Sequence, residues 1–186
     1  MPTRLGVVSF LYTRPLVHAL ESGDILHSFD LLYDVPSRCA ERLHQGETDI
    51  ALIPSIEIPR AHESYNMVPG IGIASFGPVQ SVVLVLKKDP AEVRTLALDA
   101  NSRASSALCQ IVFAKVYGHR PEVFESPPDL KQMLDRSDAA LLIGDSALGL
   151  DPRKYRLLDL GEAWSELTGL PFVYACWTGR PGSAGP

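Results

Sequence analysis

Short apolar runs that alternate with helix-patterned stretches constrain this chain more than any single motif. LGVVSF (5–10), FDLLYDV (29–35) and DIALIP (49–54) read as strands, and PLVHALES (15–22) and PSRCAERLHQGE (36–47) between them read as helices. Pro15 stands at the first helical position, where a missing N–H is no loss. In the second helix Cys39, Ala40 and Leu43 fall on one face, and Gly46 is the stop. Strand–helix–strand–helix–strand at this spacing predicts βαβ units and a largely parallel sheet.

The pattern pauses over residues 53–80, which are rich in Pro and Gly. GIGIASFG (70–77) has the glycine spacing of a dinucleotide-binding loop. The run that follows it, SVVLVLKK (81–88), is a strand rather than a helix, so the glycines read as a tight connection between strands. A second α/β block then runs from the strand TLALDA (95–100) through the long helix SRASSALCQIVFAKVYG (102–118), PEVFES (121–126), PDLKQMLDR (128–136) and DAALLIGD (138–145). SALGL (146–150) reads as a turn or short helix, LGEAWSELTG (160–169) as a helix and PFVYACWTG (171–179) as a strand. The expected organisation is an α/β lobe over 1–85, a second over 86–171, and a returning strand with a Gly/Pro-rich tail over 172–186. The tail GRPGSAGP (179–186) has no packing pattern and is expected to be disordered. Two α/β lobes joined by crossing strands predict a ligand site in the crevice at the strand ends.

Composition narrows the partners. A net charge of −5 and a pI near 5.5, with scattered Lys and Arg, disfavour nucleic acid and anionic membranes. Cys39, Cys109 and Cys176 are odd in number with no CxxC, which points to a reducing compartment. The N-terminal apolar run is too short for a secretory signal, and no run approaches the roughly 18–20 apolar residues of a membrane span. A cytoplasmic protein is expected. The histidines, 18, 27, 44, 62 and 119, lack metal-ligand spacing, so no metal is expected.

Three strand-to-helix junctions share one chemistry: Tyr12-Thr13-Arg14, Pro36-Ser37, and Asn101 to Ser106 with Ser102, Arg103 and Ser105. Each puts hydroxyls beside a helix start, whose free N–H groups and positive dipole end can hold an anion. The same residues are ordinary N-caps, and both readings stand at this level. Junctions in both blocks would suit a ligand with two separated carboxylates. Ser81, in GPVQSVV, opens a strand; Ser55 and Glu57, in PSIEI, and Asp145, in LIGDSAL, follow buried strands. Each of these is either a ligand contact or a surface or capping residue. No Ser/His/Asp or Cys/His constellation is present.

VVSFLYTRPLV (7–17), DVPSRCAERLHQGETDIALIPSIE (34–57), GPVQSVVL (77–84), LDANSRASSAL (98–108), DAALLIGDSAL (138–148) and LPFVYACWTGRPG (170–182) together resemble the chorismate dehydratase family of the futalosine route to menaquinone. The resemblance runs in order from about residue 4 to about 182. It implies a two-lobed type 2 periplasmic-binding-protein-like fold and conversion of chorismate to 3-[(1-carboxyvinyl)oxy]benzoate with loss of water. It implies no cofactor, and chorismate, a dicarboxylate, as the small-molecule partner. The related 1,4-dihydroxy-6-naphthoate synthase and a non-catalytic small-carboxylate binding protein on the same fold are the alternatives.

Two departures accompany the resemblance. Family members carry Asn in a FLNTRPL-like stretch where this chain has Tyr12, a bulkier residue whose phenol can still donate a hydrogen bond. Members also continue past the returning strand with helices that complete the first lobe. The expectation is therefore a first lobe lacking its C-terminal completion, with an apolar face covered by a partner chain, as in a homodimer, or by an exchanged segment.

Overall fold

The computed structural model describes residues 2–61 and 64–183. His62 and residues 184–186 of the Gly/Pro tail lie outside the described residues. The chain forms two compact units, residues 1–73 with 173–186, and residues 74–172.

The first unit is built on β1 (Thr3–Val8), α1 (Arg14–Glu21), β2 (Phe29–Asp34), α2 (Pro36–His44), β3 (Ile50–Pro54), the single-turn α3 (Glu57–Arg60), β4 (Asn66–Ser75) and β10 (Phe172–Gly179). Its sheet order is β2-β1-β3-β10-β4, with β1 parallel to both β2 and β3, and β10 antiparallel to β3. Val7, Val8, Leu52 and Ile53 are buried, as the unbroken apolar runs of a sheet covered on both faces require. Gly6 pairs with Ala51, and a Cβ on it would meet the Ala51 Cβ at 2.8 Å, so only glycine lets β1 lie this close to β3. α2 buries Cys39, Ala40 and Leu43. It stops where Gly46 turns to φ +73°, with its N–H on the Leu43 carbonyl at 3.1 Å, as the sequence pattern predicts.

The second unit contains β5 (Val82–Leu86), β6 (Thr95–Asp99), α4 (Arg103–Val116), β7 (Glu122–Ser126), α5 (Leu130–Arg136), β8 (Ala139–Ile143), α6 (Gly144–Leu148), β9 (Arg156–Asp159) and α7 (Leu160–Thr168). Its order is β7-β6-β8-β5-β9, with β6 parallel to β7 and β8 and β5 antiparallel to β8 and β9. β5 and β8 are buried along their whole length, and Leu108, Val112 and Phe113 of α4 are fully buried.

Three sequence expectations change. GIGIAS is no connection but part of β4, a ten-residue edge strand with Met67, Val68 and Ile71 exposed. Gly72 is needed there because a Cβ would stand 2.8 Å from the Ala175 carbonyl oxygen. The division between units falls at Ile73/Ala74, not near residue 85, because Val82–Leu86 pairs with β8 and β9 and so belongs wholly to the second unit. β9 joins that sheet, although RLLD carries no strand pattern of its own.

Candidate functional site

Because β1, β2 and β3 run parallel, their carboxyl ends share one edge of the first unit. That edge gathers Tyr12, Thr13, Arg14, Ser37, Ser55 and Glu57. β1 ends at Val8, and a 3-10 turn over Leu11–Thr13 leads into α1. The Tyr12 ring is half-buried, packs on the unit's core and meets the Phe10 ring edge-on at 5.6 Å. Thr13 is 1% exposed, and its hydroxyl has no hydrogen-bond partner among the described residues. It stands at the N-cap of α1 in a helical conformation, φ −85° and ψ −21°, from which the side chain does not cap the helix. α2 likewise has no side-chain cap: its N-cap is Val35, with Pro36 next and Ser37 buried in the first turn.

Arg14 is exposed and lies 3.4 Å from Glu21, whose other carboxylate oxygen accepts the Tyr33 hydroxyl at 2.5 Å. Burial, then Glu21, pushes the Tyr33 phenol up to about 12. Arg14 and Tyr33 line a cavity of about 250 Å³ with Val8, Ser9, Phe10 and Val17. Ser55 donates its hydroxyl to the Val173 carbonyl at 2.7 Å, so it ties β3 to β10. Glu57 is buried and faces His44 at 3.6 Å, and the His44 ring stacks on Tyr65.

In the second unit the carboxyl ends of the parallel β6 and β8 and the amino end of the antiparallel β5 share an edge. It gathers Ser81, Ser102, Arg103, Ser105 and Asp145. Ser102 caps α4, its hydroxyl accepting the Ser105 N–H at 3.3 Å; both serines are buried, and Arg103 is half-buried at the first position of the helix. Ser81 is buried, and its carbonyl accepts the Gly144 N–H at 2.8 Å, which fixes the start of α6 and the exposed Asp145 beside it.

Two acids on this edge escape a reading by motif. Asp99 is 1% exposed at the end of β6, accepts the N–H groups of Asn101 at 2.9 Å and Ile143 at 3.4 Å, and has no ion pair among the described residues. Burial raises its pKa above the ordinary carboxylate value, and the hydrogen bonds from Asn101 and Ile143 oppose that shift. Its signal is an acid that ends an apolar strand just before a helix-opening turn. Asp159, at the end of β9, accepts backbone N–H groups from two separate segments. Sequence carries no sign of the distant pair. With Gln80 and Glu162 it lines a cavity of about 520 Å³ floored by Val83, Ala147, Leu148 and Leu157. Among the described residues no cluster of His, Cys, Asp and Glu is placed to hold a metal, and no helix is long and apolar enough to cross a membrane.

A family model described as menaquinone biosynthesis matches residues 3–184. A chorismate dehydratase of Thermus thermophilus is 29% identical over 196 residues, covering 96% of this chain and 70% of that protein. A chorismate dehydratase of Campylobacter jejuni is 33% identical over 144 residues, 76% of this chain and 49% of that protein. Among solved structures, protein AF1704 from Archaeoglobus fulgidus superposes with a TM-score of 0.75 at 18% identity, over 95% of this chain and 67% of that one. The periplasmic aliphatic sulphonate binding protein SsuA from Escherichia coli gives 0.62 at 16%, over 98% and 66%. The fold is thus periplasmic-binding-protein-like.

Proposed function

The chain belongs to the menaquinone-biosynthesis family, and on that premise we propose that it is a chorismate dehydratase, an enzyme that turns chorismate into 3-[(1-carboxyvinyl)oxy]benzoate and water. The observation that carries this reading is the 29% identity to a curated chorismate dehydratase over 96% of the chain. The site chemistry agrees with it. Chorismate is a dicarboxylate, and the first unit offers two helix starts without side-chain caps and the exposed cation of Arg14 on one sheet edge.

The reaction asks for orientation more than for strong side-chain acids or bases. The proton lost from ring C3 is activated through the conjugated ring carboxylate, the C4–O bond breaks, and the ring becomes aromatic. In this reading the substrate's own enolpyruvyl carboxylate takes the C3 proton and hands it to the departing C4 hydroxyl, which leaves as water. The protein's part is to hold both carboxylates and fix the ring in the eliminating conformation. Thr13, Arg14 and Ser37 are assigned to one carboxylate. Ser81, Ser102, Arg103, Ser105 and Asp145 are the second unit's own candidate ligand contacts. Ser55 and Glu57 support the first-unit edge through Val173 and His44. Tyr12 stands where the family carries Asn, and its half-buried ring packs on the first unit's core beside Phe10.

The test is an ultraviolet assay of the purified chain with chorismate, following loss of the cyclohexadiene absorbance and identifying the product by mass. Appearance of the enolpyruvyl benzoate is expected. Intact chorismate with both the natural chain and Tyr12→Asn would overturn the reading in favour of a carboxylate-binding protein. Recovery by Tyr12→Asn alone would keep the reading and make the tyrosine the obstacle.

A further inference from the structure

Asp159 does more than a helix cap requires. Its Oδ1 accepts the N–H groups of Gly161 at 2.8 Å and Glu162 at 3.1 Å, which caps α7. The same carboxylate also accepts N–H groups from about 80 residues earlier: Val79 at 3.1 and 3.0 Å on its two oxygens, and Gln80 at 2.6 Å on Oδ2. Those two donors belong to the turn that leads into β5. The turn is tight, with the Ser81 N–H on the Val79 carbonyl at 2.7 Å, a three-residue closure around Gln80. Gln80 holds φ at +61°, and among the described residues it is the one non-glycine with positive φ. A long side chain there is strained, and such strain persists only where surrounding contacts enforce it. Immediately after the turn, Ser81 is buried and its carbonyl holds the Gly144 N–H at the start of α6.

We propose that Asp159 is a positioning residue for the second unit's ligand edge: by clamping the Val79–Gln80 amides it keeps Gln80 left-handed and so sets how Ser81 and the α6 start are presented. The proposal rests on the dehydratase reading for what Ser81 meets, but the clamp itself is a property of the turn. Gln80 and Asp159 also share the wall of the 520 Å³ cavity, so displacement of the turn reshapes that wall as well.

In Asp159→Asn the remaining oxygen can still cap α7 and accept the Val79 N–H, but the amide nitrogen in place of Oδ2 cannot accept the Gln80 N–H. The expected result is a fall of about ten- to hundredfold in kcat/KM for chorismate, the size of losing hydrogen bonds to a charged acceptor. Faster hydrogen exchange at the Gln80 amide should accompany it. Adding Gln80→Gly should recover most of the rate without restoring the exchange protection, because glycine takes φ +61° without a clamp. A purely structural loss would not be rescued by a glycine in another segment. Unchanged kcat/KM in Asp159→Asn, or a double variant no better than the single, overturns the proposal. Should both the natural chain and Tyr12→Asn leave chorismate intact, the dehydratase reading fails, and exchange then decides the clamp alone. Protection lost at Gln80 supports the clamp, and protection kept there overturns it.

Discussion

At the amino ends of their sheets the two units are built alike. Asp49, just before β3, accepts the Arg4 N–H at 2.8 Å and pairs with the Arg4 side chain at 2.7 Å, tying β3 to β1. Asp138, just before β8, accepts the N–H groups of Arg94 at 2.9 Å and Thr95 at 3.2 Å and pairs with Lys88 at 2.7 Å, tying β8 to β6. At the carboxyl ends they part. In the second unit Ser102, Asp129 and Asp159 stand at N-caps with extended backbones and accept first-turn N–H groups of α4, α5 and α7. In the first unit no side chain caps α1, α2 or α3. A side chain reaches back to its helix only from an extended N-cap, and the 3-10 turn before α1 carries Thr13 past that conformation. The shared edge holds each sheet together; at the differing edge the first unit's helix starts carry no side-chain cap, whereas in the second unit α4, α5 and α7 are capped by their own residues and α6 alone starts without one.

The largest expected effect tests the shared edge. Asp138→Asn should lower stability by about 2–3 kcal/mol at neutral pH, since it weakens hydrogen bonds to a charged acceptor. The Lys88 ammonium and the Arg94 N–H hold the Asp138 carboxyl down to about 2. A folded pKa below the unfolded one means that the stabilisation is complete above the ordinary carboxylate value and is lost as pH falls towards 2. Denaturant titrations of both proteins should therefore converge in acid, and a constant gap across pH would break the assignment. Asp49, which the Arg4 side-chain bond holds below its usual value, should show the same convergence in the first unit.

A pair of substitutions tests the differing edge by sign. Thr13→Val replaces a buried hydroxyl that has no partner among the described residues with a group of the same shape. It should raise the stability of the unliganded chain by about 1 kcal/mol while weakening chorismate about tenfold, which calorimetry and KM would read separately. Ser102→Ala removes a cap in use and should lower stability by about 1 kcal/mol. Equal signs in the two denaturation curves would erase the contrast between the units.

Much of this architecture was legible in the chain. The runs 5–8, 50–54, 82–86 and 139–143 are strands because unbroken apolar sequence suits sheets covered on both faces, and Gly46 ends its helix where the pattern stops. β4 was hidden because Pro69, Gly70 and Gly72 imitate a turn, although the glycine at 72 answers to the close approach of Ala175. β9 was hidden because four residues are too few to show a period. The junctions were legible as places but not as roles. Thr13 and Ser102 look equivalent in sequence, and the backbone angles at the N-cap, set by the turn before each helix, decide which hydroxyl is spent. The Asp159 clamp joins segments about 80 residues apart, a distance over which no local pattern carries information.

The smallest effect comes from the other acid of the second sheet. Asp99 and Asp138 stand at opposite ends of the same parallel pair, β6 and β8, with opposite displacements of pKa. Asp99 is buried without a counter-charge among the described residues, and its compensation is two N–H groups and the nearby positive end of α4. Its folded pKa lies above the unfolded one, so the native chain binds the extra proton in the window just above the ordinary carboxylate value. Within that window stability falls as pH rises, the reverse of Asp138. Asp99→Asn exchanges a weakened acceptor for the removal of a buried charge, so its net cost at neutral pH should stay below about 1 kcal/mol. The diagnostic is the slope: stability measured in small pH steps above 4 should lose its Asp99 component in the variant while the Asp138 component in stronger acid remains. A slope unchanged by the substitution would assign the proton to another group and leave Asp99 as a strand-end tie like its counterpart at the amino edge.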